Sequence, residues 1–301
     1  MKANPAVLVL ATILAGCQLG DRDSIVLEES GTWRGAIHQP RAIVELPSRD
    51  WVVLDRTDRV QVFSATGEFK RGWRTPETGR GNPRGLALDR NNNILVADTH
   101  YGQVLRYTPE GELLQVIGQP GTEPGSFCLV TGIVEDASGF LYTIEYGDRN
   151  RMQKFDSEGR FVKEWGSLGQ KPGQFQRAQG IDLLPSGEIV VADSVNHRLQ
   201  IFSREGDYLS TLGEFGTERG QLNYPYDVDH DSDGRIYVIE FGNHRVQVFN
   251  REGESLLVLG EAGRGKNQFH QPWGVTVLRS GEVLVADTYN HRIHNLGVLM
   301  E

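Results

Sequence analysis

Cysteine is nearly missing from these 301 residues: only Cys17 and Cys128 occur. Cys17 is claimed by an N-terminal motif described below, so no intramolecular disulfide is left to frame the fold. Cys128 is then expected to pack as a small apolar residue. Positive charge is also in short supply, with 31 Lys and Arg against 40 Asp and Glu and a formal charge of −9. Nucleic-acid binders draw much of their affinity from a basic face, so that class is disfavoured. No stretch of useful length repeats its apolar residues at the helical period. The apolar run PAVLVLATILAG that follows Lys2 and precedes Cys17 is too short to span a bilayer. No Gly-x-Ser-x-Gly elbow occurs either, which removes one common hydrolase nucleophile.

What the chain has instead is a repeat. VADSVNHRLQIF at 191–202 returns as VIEFGNHRVQVF at 238–249 and VADTYNHRIHNL at 285–296, with looser copies upstream. One acid per copy sets the register: Asp55, Asp98, Glu145, Asp193, Glu240 and Asp287. The steps between them are 43, 47, 48, 47 and 47 residues. Each unit reads as four short strands, rich in β-branched residues and parted by Gly-containing turns. Four antiparallel strands at this period make one propeller blade, so six copies predict an all-β, six-bladed β-propeller. The last repeat stops one strand short. Its missing partner is expected at the other end, where Ile25-Val26-Leu27-Glu28 mirrors the fourth strands, so an N-terminal strand should close the last blade.

The first residues stand outside this pattern. Lys2 followed by the apolar run reads as a signal peptide. It ends in Leu14-Ala15-Gly16-Cys17, which resembles the lipobox of bacterial lipoproteins. That resemblance implies a signal peptide over 1–16, a lipidated Cys17, a short tether over 17–24 and the propeller over 25–301. Gln18, in place of aspartate, implies the outer membrane among envelope locations.

The repeat itself resembles the NHL family through Asn196-His197-Arg198, Asn243-His244-Arg245 and Asn290-His291-Arg292. The resemblance implies the propeller fold and leaves function open, because the family spans sensors, RNA binders and the peptidyl amidoglycolate lyase. In that lyase, three histidines after the proline that starts the innermost strands hold zinc. The corresponding residues here are Arg41, Arg84, Thr131, Gln179, Tyr226 and Trp273, none of them histidine, so the zinc site does not carry over and no cofactor is expected. His38 and His270 precede inner strands and are expected to cap their own loops, since two ligands seldom hold zinc.

Asp193 with Arg198, Glu240 with Arg245 and Asp287 with Arg292 face each other across a turn and are expected to be structural ion pairs. GEAGRGKN at 260–267 has a P-loop outline but lacks the final Ser or Thr and a following helix. It reads as an inter-blade turn. DHDSDGRIYVIE at 229–240 has EF-hand spacing, yet an extended strand would carry Glu240 away from Asp229, Asp231 and Asp233.

These six repeat-equivalent residues should ring the channel mouth, since such positions lie at one level. Arg41 and Arg84 form an expected fork for a carboxylate or phosphate, and Tyr226 and Trp273 an apolar wall on the other side. The expected function is therefore a lipid-anchored, monomeric binding module, sensor or scaffold, for a protein, a peptide or a small anionic ligand. A metal-assisted lyase or hydrolase of propeller type is the alternative. The mouth is expected to face away from the membrane.

Overall fold

A computed structural model describes residues 26–27, 35–77 and 79–300. Cys17, the leader and the tether lie outside the described residues. Among the described residues there are six four-stranded antiparallel sheets, each with its strands in sequence order. The exception is the last, where Val26–Leu27 pairs with Arg292–Val298 and completes the blade. Leu27 lies opposite Ile293 and Val26 opposite His294. The closing strand read from the sequence is thus present. Among the described residues no helix is long and apolar enough to cross a membrane.

The first strand of each blade is innermost. These strands are Pro40–Glu45, Gly85–Leu88, Leu129–Glu135, Ile181–Leu183, Pro225–His230 and Gly274–Val277. Each touches the first strands of the blades on either side, and the sixth touches the first, so they enclose a central channel. Second and third strands are buried on both faces. Fourth strands form the rim and leave Leu114, Val162 and Leu209 exposed.

The core is divided accordingly into six wedges, one between each pair of neighbouring blades. Strand alternation explains how one strand serves two wedges. Val190 and Ala192 turn towards blade 5, whereas Ile189 and Val191 turn towards blade 3. Ile43 and Trp51 of blade 1 pack with Leu284 and Ile293 of blade 6, which seals the ring with the same apolar chemistry used elsewhere. Each fully buried aromatic such as Phe202 or Phe249 contributes about 2–3 kcal/mol of transfer free energy.

Blades 3 to 6 are also latched to the loops that enter them. In blade 5, Arg245 Nε meets Glu240 at 2.6 Å while its other nitrogens donate to the carbonyls of Thr217, Glu218 and Gln221. Asn243 donates to Gly216 O and to Glu240. The same pattern joins Asp193 with Arg198 at 2.9 Å and Asp287 with Arg292 at 2.7 Å. These acids also accept the backbone N–H of Gln176 and His270. The pairs therefore hold hairpin and loop together, a wider task than joining two strands. His197 and His244 sit in the left-handed region and accept the N–H groups of Tyr224 and Gln271 from the next blade.

Candidate functional site

The inner strands begin with a local irregularity that sets up the mouth. Register shifts fall between Pro40 and Ala42, between Val130 and Gly132, and between Pro225 and Asp227. A bulge leaves one residue out of the ladder and re-aims its side chain. The residues so released are Arg41, Thr131 and Tyr226. Together with Arg84, Gln179 and Trp273 they line a single cavity at the channel mouth.

The arrangement inside differs from a two-sided cleft. Both arginines pack over Trp273, with the Arg41 guanidinium 4.6 Å and the Arg84 guanidinium 5.1 Å from the indole centroid. Tyr226 meets Trp273 edge-on at 5.3 Å and stacks on Phe241. Arg41 donates to the carbonyls of Asn82 and Pro83, and Arg84 to Gln179 at 2.9 Å. Thr131 is turned to the carbonyl of Ala178. The expectation of opposed polar and apolar walls is corrected here: desolvated guanidinium groups gain more by stacking on the indole than by standing apart. The side chains largely fill the mouth and leave about 50 Å³, room for about one water.

Neither arginine has a carboxylate partner among the ion pairs of the described residues, and the Nε of each is buried without an acceptor. Burial, then the charge of Arg84, lowers the Arg41 pKa to about 9. Arg84 is lowered as well, chiefly by burial. Arg177 lies at the same rim, stacked on Tyr146. The mouth thus gathers guanidinium groups over an indole, with Asp227 also among its lining residues.

His38 and His270 do not meet. His38 lies 4.9 Å from His291 and His270 lies 6.1 Å from His244, while His270 N–H caps onto Asp287. The 260–267 segment is an inter-blade turn, in which Glu261–Ala262 pairs with Gln268–Phe269. In the EF-hand-like stretch, Asp231 binds Arg235 at 2.6 Å and Asp233 does so at 3.0 Å. Asp229 turns the other way, into the channel.

There it joins a group that sequence reasoning missed. A second cavity of about 400 Å³ occupies the opposite end of the channel, lined by Glu45, Glu135, Asp182, Asp227, Asp229 and His230 among others. Asp182 and Asp229 sit 47 residues apart, at one repeat position on adjacent blades. Aligning the repeats position by position was the signal that pointed to them.

The family model described as "NHL repeat" matches residues 175–202, 222–249 and 269–295. The propeller therefore carries NHL repeats in this part of the chain. The NHL stretches coincide with blades 4 to 6, while a second model, "SMP-30/Gluconolactonase/LRE-like region", matches residues 54–138. Mouse NHL repeat-containing protein 3 is 30% identical over 154 residues, 47% of this chain and 44% of that protein. Its human counterpart is 27% identical over 155 residues, with the same coverage. The matched stretch is under half the length of either relative. Among solved structures, selenomethionine-substituted virginiamycin B lyase from Staphylococcus aureus aligns with a TM-score of 0.63 at 13% identity, covering 93% of this chain and 89% of that one. A gluconolactonase from Xanthomonas campestris aligns at 0.66 with 11% identity and 88% of each chain. At such identities the likeness to these enzymes is one of fold.

Proposed function

We propose that this NHL propeller is a binding module that takes the carboxylate or phosphate group of a peptide or small ligand at its arginine-bearing mouth. One observation carries the reading: the guanidinium groups of Arg41, which is buried, and Arg84, which is half-buried, both pack over the Trp273 indole, and neither has a carboxylate ion-pair partner among the described residues. A guanidinium has five N–H donors. Arg41 spends one nitrogen on carbonyls and Arg84 one on Gln179, so both keep capacity for an incoming oxyanion. Tyr224 and Tyr289, exposed on the loop side, offer apolar faces to the remainder of the ligand. In this reading Cys17 is the lipidated residue and holds the protein in the cell envelope, at the outer membrane, with the mouth turned outward; mass spectrometry of the mature N-terminus tests that part.

The mouth is tested by Trp fluorescence titration with inorganic phosphate and with a short peptide bearing a free or an amidated C-terminus. Phosphate or the free carboxylate is expected to quench or shift the signal of the wild type. Arg41→Ala with Arg84→Ala is expected to weaken that binding at least about tenfold, since charge-assisted hydrogen bonds contribute about 1.5–3 kcal/mol each. Equal binding by the folded double variant and the wild type would move the site elsewhere.

A further inference from the structure

The innermost strand of blade 5 is unlike its siblings. At the position held by Ala42, Gly85, Gly132, Gly180 and Gly274 it has Asp227. Two residues on, where most blades have Val44, Ala87, Val134 or Thr276, it has Asp229, and blade 4 has Asp182. His230 follows directly. One donor atom from each of Asp182, Asp229 and His230 lies within 4.8 Å of the others.

Backbone groups aim these carboxylates. Asp229 accepts the N–H of Val277 at 2.8 Å and that of His230 at 2.7 Å. Asp182 accepts from Leu183 at 2.8 Å, and Asp227 from Val275 at 3.2 Å. Hydrogen bonds of this kind fix the rotamers of metal-ligating carboxylates and leave their remaining lone pairs for the ion. The imbalance of charge points the same way. Three carboxylates share one imidazole, whose Nδ1 lies 2.6 Å from Asp182. The adjoining cavity of about 400 Å³ has room for an ion together with its waters.

We propose that Asp182, Asp229 and His230 bind a divalent first-row metal ion at the end of the channel opposite the arginine mouth. Two oxygens and an imidazole nitrogen suit Zn²⁺ or Mn²⁺, whereas Ca²⁺ favours an all-oxygen set. Coordination takes the place of the contact between the His230 ring and Asp182 and leaves the other positions to water. The site is independent of the anion reading, because it uses none of the mouth residues.

The test is equilibrium dialysis of the full folded chain against MnCl₂, ZnCl₂ and CaCl₂, with Mn²⁺ also followed by paramagnetic resonance. One equivalent of Mn²⁺ or Zn²⁺ is expected. Asp229→Asn and His230→Gln, each checked for a native melting profile, are expected to weaken binding at least about tenfold. His38→Gln with His270→Gln is expected to leave it unchanged, as is Arg41→Ala with Arg84→Ala. Should Asp229→Asn fail to fold, Mn²⁺-induced broadening of the His230 ring resonance in the wild type decides the matter. No stoichiometric binding, binding that survives in His230→Gln, or a preference for Ca²⁺ overturns the proposal; imidazolium would then be the resident cation.

Discussion

Asp98 differs from its repeat counterparts in what stands opposite. Asp55, Glu145, Asp193, Glu240 and Asp287 each meet an arginine, whereas Asp98 receives only the amide of Gln103 at 2.9 Å. Its Oδ1 is buried without a partner. Burial raises its pKa from 3.8 to about 6. The folded state therefore holds this proton more tightly than the unfolded chain does, so the contribution is favourable below pH 3.8 and is lost as pH rises through about 6. At pH 7.5 the ionised group costs on the order of 3 kcal/mol. Asp98→Asn should accordingly be neutral or stabilising at that pH, while Asp193→Asn, which strips the charge from a buried arginine pair, should destabilise by about 3 kcal/mol. Urea unfolding of both variants at pH 7.5 checks the contrast.

His294 makes the opposite case among single residues. Both ring nitrogens are buried without partners, and burial, aided by the charge of Arg292, lowers its pKa to about 4. For a base held down in this way, stability is intact above about 6.5 and declines as pH falls towards 4. The His294 ring resonance should remain that of the neutral imidazole at pH 5.5. A midpoint near 6.5 in an NMR titration would contradict the burial argument.

On the scale of elements, the unit is the loop that joins two blades, and a glycine decides its path. Gly166 has φ +94, and a Cβ there would stand 2.5 Å from Cε2 of Phe175. Phe175 is fully buried in the wedge between blades 3 and 4. Gly118 against Phe127, Gly213 against Leu222 and Gly260 against Phe269 repeat the contact. Gly166→Ala combines left-handed strain with overpacking, and a loss of about 2–4 kcal/mol is expected in equilibrium unfolding. Gly173→Ala is the control, because nothing lies within 4 Å of its added carbon and only the strain at φ +78 remains. These loops also mark how far the sequence could be read. The acid and the arginine of the latches in blades 4 to 6 were legible because they lie five residues apart on one hairpin. Their carbonyl partners were not, since backbone acceptors leave no mark in residue identity. The mouth positions followed from repeat equivalence, but the filling of the mouth by Trp273 did not, because rotamers depend on the packing of neighbouring blades. Asp182 and His230 are 48 residues apart in different repeats, and local motif reading joined Asp229 to Asp231 and Asp233 instead.

The molecule as a whole is closed twice, and the two closures do different work. Along the inner ring, blade 6 is joined to blade 1 by Thr276 Oγ1 donating to Ile43 O at 2.6 Å and by Thr288 Oγ1 donating to Pro40 O at 2.8 Å. Apolar packing of Leu284 and Ile293 against Ile43 and Trp51 reinforces that seam. At the rim, Val26–Leu27 covers the free edge of Arg292–Val298. Removing the rim strand leaves the inner seam in place, so the ring should not open. The backbone groups of Arg292–Val298 would instead face solvent as an unpaired edge, a template for a second chain. Deleting residues 25–29 is therefore expected to lower the thermal midpoint by several degrees, and to make the protein associate as concentration rises. Light scattering across a dilution series, run beside a thermal melt, separates the two effects. A monomeric profile with an unchanged melt would mean that the inner seam alone sustains the ring. Complete unfolding would mean that the six wedges cannot hold without the rim, and that the closing strand carries part of the core.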